Sequence, residues 1–268
     1  MEIVDLSDEY VGSYCKCLED WSEEMREAGD HKREWYERHR AKGLRVKIAK
    51  DGEGRAVGMI HYAPAEEAPL LGRGLYYIYC VWVHGYKRGV GDHRKKGIGK
   101  ALLAAAEEDA RALGSKGMTA WGLRLPVFMR SAWFKKHGYR SADRDGAVEL
   151  VWKPFAPDAE APRLLRMMKK PTPGARKVAL TCLRNGWCPA QDLVHERARR
   201  VALDFPTMAE FISIDTDDRE ALEEWGAADA LFIDETQVRT GPPPSTEAIR
   251  KLLVRKMKKR GLFVRVSG

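Results

Sequence analysis

The chain has 268 residues, of which 44% are hydrophobic and 32% charged, and its formal net charge is +8. This composition is typical of a globular protein of one or two domains and excludes a disordered chain. No apolar run approaches the roughly 18 residues of a membrane span, and the N-terminus lacks the pattern of a secretory signal. Five cysteines, an odd number, do not suggest a disulfide framework. We therefore expect a soluble cytoplasmic protein with reduced thiols and no membrane partner, whose positive charge favours an anionic partner.

The first half of the chain predicts a mixed α/β layer structure. A strand at residues 2–6 precedes helices in "DEYVGSYCKCLEDW" and "HKREWYERHRAKG" and strands in "LRVKIAKD", "RAVGMIHYA" and "GLYYIYCVWVH". A basic, glycine-rich loop at residues 85–96 then leads into a helix over residues 98–113. A strand in "GMTAWGL", a helix in "VFMRSAWFKKHG" and strands around "YRSAD" and "AVELVWKPF" complete this half. The helical spacing predicts one buried face on helix 98–113, made of Ile98, Leu102, Ala105, Ala106, Ala110 and Leu113.

A proline-rich stretch at residues 154–174, "PFAPDAEAPRLLRMMKKPTPG", predicts a boundary between two domains. We assign residues 1–155 to the first domain, 156–174 to a linker and 175–268 to the second domain. Within the linker, "RLLRMMKK" is compatible with a short helix that packs on one domain.

The second domain is predicted to be a smaller α/β unit. Strands in "KVALTCL", "EFISIDT" and "DALFIDE" alternate with helices in "AQDLVHERARRVAL" and "DREALEEWG", and "STEAIRKLLVRKMKKRG" forms a last helix. Ser245 or Thr246 is expected to cap that helix, and Gly261 follows its end.

The segment from Arg94 to Lys100 has the composition of a phosphate site, and three binding schemes compete for it. A P-loop would need glycine at position 94 and serine or threonine at position 101, where the chain has Arg94 and Ala101. A dinucleotide fingerprint would need a third glycine at position 102, where the chain has Leu102. The missing residues exclude both schemes.

The third scheme is Arg-x-x-Gly-x-Gly after a strong strand and at the start of a helix, which here is Arg94, Gly97 and Gly99. Successive backbone N–H groups in such a loop form a concave anion site at the positive end of the helix. Lys95 and Lys96 add further charge beside Arg94. The simpler alternative is a solvated basic loop before an ordinary amphipathic helix.

With this loop, the sequence resembles the GNAT superfamily of acetyl-CoA-dependent N-acetyltransferases. The family's pyrophosphate loop, Gln/Arg-x-x-Gly-x-Gly/Ala, is matched by "RKKGIG", and "YIYCVWV" and "SAWFKKHGY" stand where the family has its cofactor strand and last motif. The resemblance implies the acyl-CoA N-acyltransferase fold, a mixed sheet flanked by helices. It also implies acetyl-CoA as the acyl donor and a small-molecule or protein amine as the acceptor, whose identity it leaves open together with the oligomeric state. The cofactor-binding residues that it implies are Val81, Trp82, Val83, Arg94, Lys95, Lys96, Gly97, Ile98, Gly99, Lys100 and Phe134.

The proton donor for the departing thiolate is not identified by the resemblance. Phe134 stands where many family members have a tyrosine, and a phenyl ring cannot give a proton. The candidates for catalysis are Tyr79 and Cys80 on the cofactor strand and Tyr139 after the last motif. Other groups near this part of the chain are Tyr77 and His84, and a water relay is a further alternative.

The second domain resembles thioredoxin in its order of elements and in "WCPAQ", where Gln191 replaces the second cysteine of the Trp-Cys-x-x-Cys motif. The domain order, with "GWCP", "ALFIDE" and "GPPP", resembles the YoaP-like arrangement of an acetyltransferase domain and such a tail. Cys188 at a helix start is a candidate redox nucleophile, or else a buried small residue. Cys182 lies on the preceding strand and does not replace the missing thiol. No metal site is expected, since Cys15 and Cys17 lack ligand spacing.

The function that this sequence predicts is acetyl transfer from acetyl-CoA to an amine by direct attack, with the C-terminal domain aiding substrate recruitment. One alternative is a thiol redox protein acting through Cys188. Another is a module that binds nucleic acid or an acidic partner through the basic loop and the cations of the last helix. A nucleic-acid partner is disfavoured because no aromatic residues interleave those cations.

Overall fold

The structure of the protein, a computed structural model, describes residues 1–262, so the last six residues of the predicted second domain, 263–268, lie outside it. The chain divides into two compact units. The first unit contains Met1–Ser22 and Tyr36–Leu165, and the second contains Glu23–Trp35 and the chain from Arg166 onward.

Up to residue 165 the helices and strands are β1 (Glu2–Asp5), α1 (Asp8–Cys15), α2 (Glu23–Glu27), α3 (His31–Arg40), β2 (Arg45–Lys50), β3 (Ala56–Pro64), β4 (Leu70–Leu71), β5 (Tyr76–Val83), α4 (Ile98–Ala112), β6 (Gly117–Leu123), α5 (Ser131–Lys136), β7 (Arg140–Asp145), β8 (Val148–Pro154) and β9 (Arg163–Leu164). From there they are β10 (Val178–Arg184), α6 (Pro189–Leu203), β11 (Ala209–Asp215), α7 (Arg219–Trp225), β12 (Ala230–Ile233), β13 (Thr236–Val238) and α8 (Thr246–Lys259).

The first unit is built on a seven-stranded sheet in the order β1-β2-β3-β5-β6-β8-β7. The pair β5–β6 is parallel and the other neighbouring pairs are antiparallel, so the predicted mixed sheet is confirmed. β4 and β9 form a separate two-stranded sheet. The short helix considered for "RLLRMMKK" is wrong: Arg163–Leu164 is the strand β9, and residues 165–170 have no helical structure.

Helix α4 packs on the sheet through the predicted face, with three differences, the first of which is that Ala105 is only half-buried. Ile98, Leu102, Ala106 and Ala110 are buried as expected, and so is Leu103. Leu113 is 50% exposed, because the helix ends at Ala112 and the chain turns there.

The second unit has a four-stranded sheet in the order β11-β10-β12-β13. β10 is parallel to β11 and antiparallel to β12. The predicted cap of α8 is Ser245, whose Oγ accepts a hydrogen bond from the Ala248 N–H at 3.1 Å. The core of this unit combines apolar side chains of β10, α6 and α8, among them Leu180, Val194, Ala198, Ile249 and Leu253.

A buried carboxylate links α5 to the β7–β8 pair of the first unit. The side chain of Glu149 is 1% exposed, and its Oε1 accepts hydrogen bonds from Lys135 Nζ at 2.8 Å and from Arg144 Nε at 3.0 Å. Burial alone would raise the pKa of Glu149, but hydrogen bonds from Lys135, Ser131 and Ser141 outweigh it and lower the pKa to about 2. The ionised form is therefore the one that the fold stabilises.

Glu149→Gln is expected to lower the free energy of unfolding at pH 7 by about 2–3 kcal/mol. Since the folded pKa lies below the unfolded one, this contribution is present above an ordinary glutamate pKa and is lost as the pH falls toward 2. Denaturant unfolding at pH 7, 4.5 and 3, followed by tryptophan fluorescence, measures it. Glu108→Gln, at an exposed position of α4, is the control; an unchanged pH dependence in Glu149→Gln would contradict the prediction.

Candidate active site

The basic loop enters α4 through two residues with left-handed backbone. Gly97 is the N-cap residue with φ +80°, and Lys95 has φ +61°. The Ala101 N–H donates to the Gly97 carbonyl at 3.1 Å and closes the first turn. The N–H groups of the first helical residues have no partner within a helix, so they are available to an anion at this end of α4.

A cavity of about 480 Å³ lies against this helix start. All of the predicted cofactor residues except Trp82 and Lys96 line it. Val81 and Val83 come from β5, and Phe134 comes from α5. Five further residues line the cavity and were not predicted: His93, Val127, Met129, Arg130 and Trp133. Trp133 lies within the last motif, whereas no motif covers Val127, Met129 or Arg130.

Asp92 holds the side chain of Arg94 at the rim of the loop. Arg94 Nη2 donates to Asp92 Oδ2 at 2.7 Å, and Arg94 Nε donates to Oδ1 at 3.0 Å. Hydrogen bonds from Arg94 lower the pKa of the Asp92 carboxyl well below its usual range. Arg94 is thus positioned by an acidic neighbour that the sequence analysis did not single out.

β5 and β6 separate where β5 meets the cavity. Over the part of the sheet that the structure describes, their pairing is confined to Tyr76–Ile78 and Met118–Ala120. Beyond it, the Val81 N–H donates to Met129 Sδ at 3.5 Å, and Trp121 Nε1 donates to the Tyr79 carbonyl at 2.6 Å. The Val81 N–H is therefore directed at the cavity side, away from any neighbouring strand.

The family of this chain follows from the similarity of its first half to a known family of proteins. The model of the acetyltransferase (GNAT) family matches residues 5–139. The chain belongs to the acetyltransferase (GNAT) family. The predicted family, its mixed α/β fold and the enzyme class of an acyltransferase are thereby confirmed.

Solved structures with similar folds include three acetyltransferases. A GNAT acetyltransferase from Brucella melitensis in complex with acetyl-CoA is 18% identical, with 59% of this chain and 90% of that chain covered and a TM-score of 0.42. PaiA N-acetyltransferase from Thermoplasma acidophilum in complex with coenzyme A is 20% identical, with 57% and 98% covered and a TM-score of 0.42. Aminoglycoside 6′-acetyltransferase type Ii is 18% identical, with 59% and 99% covered and a TM-score of 0.44. No curated protein matches the chain.

The three candidates for catalysis are buried, and none is among the described residues that line the cavity. Tyr79 lies where β5 leaves β6, and its hydroxyl donates to the Glu67 carbonyl at 3.0 Å. Cys80 follows it on β5. Tyr139 packs in the core against Phe134, with ring centroids 5.4 Å apart, and burial raises its pKa well above the ordinary value. Their part in proton transfer stays a prediction.

His84, one of the two other groups considered, has both ring nitrogens engaged. Its Nε2 accepts from Trp21 Nε1 at 3.3 Å, so the ring proton is on Nδ1 and donates to the Gly91 carbonyl at 2.7 Å. The fully buried imidazole holds the loop after β5 in place.

In the second unit, Cys188 is the N-cap residue of α6 and is half-buried. Its carbonyl accepts from the N–H groups of Gln191 and Asp192 at 2.9 and 3.0 Å. Cys182 lies in the apolar core, where burial raises the pKa of its thiol well above the ordinary value. Cys182 is therefore a protonated core thiol, which does not favour dithiol exchange.

His31, His195 and Glu196 also converge in the second unit, with potential ligand atoms within 4.8 Å of one another. Arg184 Nη1 lies 3.1 Å from His31 Nδ1 and, as a donor, places the ring proton of His31 on Nε2. That nitrogen then donates to Glu196 Oε1 at 3.0 Å. In this tautomer His31 has no lone pair toward the cluster, so the arrangement fits a hydrogen-bond network better than a metal centre.

None of the helices within residues 1–262 has the length and apolar character that a membrane-spanning segment needs.

Proposed function

We propose that the first unit transfers the acetyl group of acetyl-CoA to an amine. The observation that carries the proposal is the cavity that joins the start of α4 to the Val81 N–H. The glycine loop and the first turn of α4 supply N–H donors for the pyrophosphate, with Arg94, Lys95 and Lys96 as cations around it. The apolar side chains of Val81, Val83 and Trp133 suit a pantetheine arm.

The reaction needs a donor to the thioester oxygen. The amine nitrogen bonds to the thioester carbon, the carbon–sulfur bond breaks, and the thiolate takes a proton while the amine loses one. The Val81 N–H is placed to donate to the carbonyl oxygen as it gains negative charge. Met129 Sδ is its partner in this structure and would have to move aside.

Acetyl-CoA binding and acetyl transfer test the proposal directly. We expect acetyl-CoA at 100 times its Kd to stabilise the protein by about 2.7 kcal/mol, measured as a raised melting temperature. Thiol release from acetyl-CoA should depend on an added amine. ATP is the control ligand with a similar charge. If acetyl-CoA gives no shift and no amine in a broad panel is acetylated, the proposal is wrong.

Tyr79→Phe is expected to lower kcat about tenfold, and Tyr139→Phe to leave kcat within about twofold. Tyr79 lies at the separation of β5 and β6, whereas Tyr139 packs in the core behind Phe134. Initial rates against pH measure both variants, because loss of a general acid also removes the alkaline limb of the profile. A larger effect at Tyr139, or unchanged pH profiles in both variants, would contradict the assignment.

For the second unit we propose a thioredoxin-like, YoaP-like domain that aids substrate recruitment. Its support is the order of strands, β11-β10-β12-β13, with β10 parallel to β11 and α6 between them in the chain. A redox function through Cys188 would appear as insulin reduction that Cys188→Ser abolishes. None of the five cysteines, all of which lie within residues 1–262, forms a disulfide, which fits a reducing cytoplasm.

The cations of α8 and of its C-cap residue, Arg260, favour a surface helix over a nucleic-acid site. Arg250 pairs with Asp204, Lys256 pairs with Glu235 at 2.8 Å, and Arg260 pairs with Asp234. These ion pairs reduce the charge available to phosphates, and a shallow salt dependence of any RNA binding would agree with that.

A further inference from the structure

A row of aromatic side chains lies beside the cavity in the first unit. We call it the aromatic row; its members in order of contact are Trp21, Tyr86, Trp82, Phe128 and Trp121. Successive ring centroids are 5.3, 6.4, 5.5 and 6.1 Å apart. The side chains come from separate segments of the chain, so no local motif reveals the row.

In two segments, 81–83 and 127–129, residues that line the cavity alternate with residues of the aromatic row. Val81 and Val83 line the cavity, and Trp82 between them does not. In a strand, successive side chains point to opposite faces, so Trp82 faces away from the cavity. Val127 and Met129 likewise line the cavity, whereas Phe128 contacts Trp82.

The gap between β5 and β6 connects the aromatic row to the end of the cavity at the Val81 N–H. Trp121 ends the row at this gap, where its indole donates to the Tyr79 carbonyl at 2.6 Å. The Val81 N–H is two residues farther along β5. A ligand on the row could therefore present an atom to the thioester from the face opposite the cavity.

Two members of the row are exposed to solvent, Tyr86 by 44% and Phe128 by 40%, and Leu125 and Val127 in the same loop as Phe128 are exposed as well. A contiguous exposed apolar patch commonly marks a binding site. Trp82 Nε1 is buried and has no hydrogen-bond partner among residues 1–262. The row thus offers exposed ring faces, which suit an aromatic ligand better than a chain of ammonium groups.

We infer that the aromatic row is the acceptor site and that the acceptor is a primary amine carried on an aromatic body. The inference rests on the proposed acetyl transfer. Stacking on Trp82 and Phe128 would hold the ring and leave the amine at the gap. There its nitrogen bonds to the thioester carbon as the carbon–sulfur bond breaks; the amine proton leaves to water, and coenzyme A thiol is the second product.

Steady-state acetylation of tryptamine, 2-phenylethylamine, n-butylamine and putrescine by the full chain tests this. We expect the two aromatic amines to have kcat/KM values at least tenfold above those of the other two. Phe128→Ala should raise the KM for tryptamine about tenfold and leave the KM for acetyl-CoA within twofold. Phe128→Tyr keeps the ring and should restore the lower KM, and Leu113→Ala, at an exposed site after α4, should change neither constant.

The outcomes separate the two claims. Faster acetylation of putrescine or n-butylamine, or an unchanged KM for tryptamine in Phe128→Ala, would overturn the aromatic acceptor while leaving acetyl transfer intact. An absence of acetylation with every amine, together with no stabilisation by acetyl-CoA, would overturn the proposed function and this inference with it.

Discussion

Val81→Pro is expected to lower kcat for acetyl transfer by about 10²- to 10³-fold, the usual cost of removing one preorganised donor to a developing oxyanion. Proline has no N–H, so the variant removes the donor that is directed at the cavity. In the free protein this N–H bonds Met129 Sδ at 3.5 Å and no neighbouring strand. The substitution therefore takes no hydrogen bond from the sheet. Initial rates at saturating acetyl-CoA and amine measure the effect.

Val81→Ala is the matched control, because it shortens the side chain and keeps the N–H. We expect its kcat to stay within a few-fold of the parent protein. Circular dichroism and the melting temperature check that Val81→Pro is folded, and acetyl-CoA binding checks that the glycine loop still works. If folded Val81→Pro retains its kcat, this N–H is not the oxyanion donor.

The cofactor loop could be predicted from the sequence because its determinants are local. The positive φ of Gly97 and the start of α4 at Ile98 follow from adjacent residues. Arg94 and Gly99 stand at fixed offsets from them, and the strand before the loop has a strong β pattern. A motif within seven residues was enough to choose one phosphate scheme among three.

The rest of the site depends on contacts between distant segments. Met129 meets Val81 across 48 residues and has a positive φ of 49°. Phe128 meets Trp82 in the same way. The order of residues gives no period or spacing for such pairs, so the sequence analysis could not find the aromatic row or the partner of the Val81 N–H.

The division of the chain into two units also depends on contacts between distant segments, which the order of residues does not reveal. Glu23–Trp35 lies early in the sequence but clusters with the second unit. Arg197 pairs with Glu24 and Glu27, more than 160 residues away along the chain. Composition and proline content predict a boundary near residue 156, whereas the first unit extends to Leu165, and they give no sign of this early segment.

Gly97→Ala is expected to raise the Kd for acetyl-CoA about 5- to 30-fold. A Cβ at Gly97 would meet nothing within 4 Å, so the substitution introduces no clash. It acts through the backbone, because φ is +80° and an L side chain in the left-handed region costs about 1–2 kcal/mol. Relaxation of φ would turn the loop N–H groups away from the pyrophosphate. Titration calorimetry with acetyl-CoA measures the change in Kd. The kcat at saturating acetyl-CoA should equal that of the parent protein.

Gly114→Ala separates this effect from a general loss of stability. Gly114 follows the other end of α4, has φ +78°, and would also have a Cβ with nothing within 4 Å. Both variants therefore carry the same backbone cost and should lower the melting temperature by similar amounts, whereas the loop at the cavity changes in Gly97→Ala alone. Equal Kd values for acetyl-CoA in the two variants would mean that the left-handed N-cap of α4 does not form the anion site. Binding of the pyrophosphate would then depend on the cations of the loop.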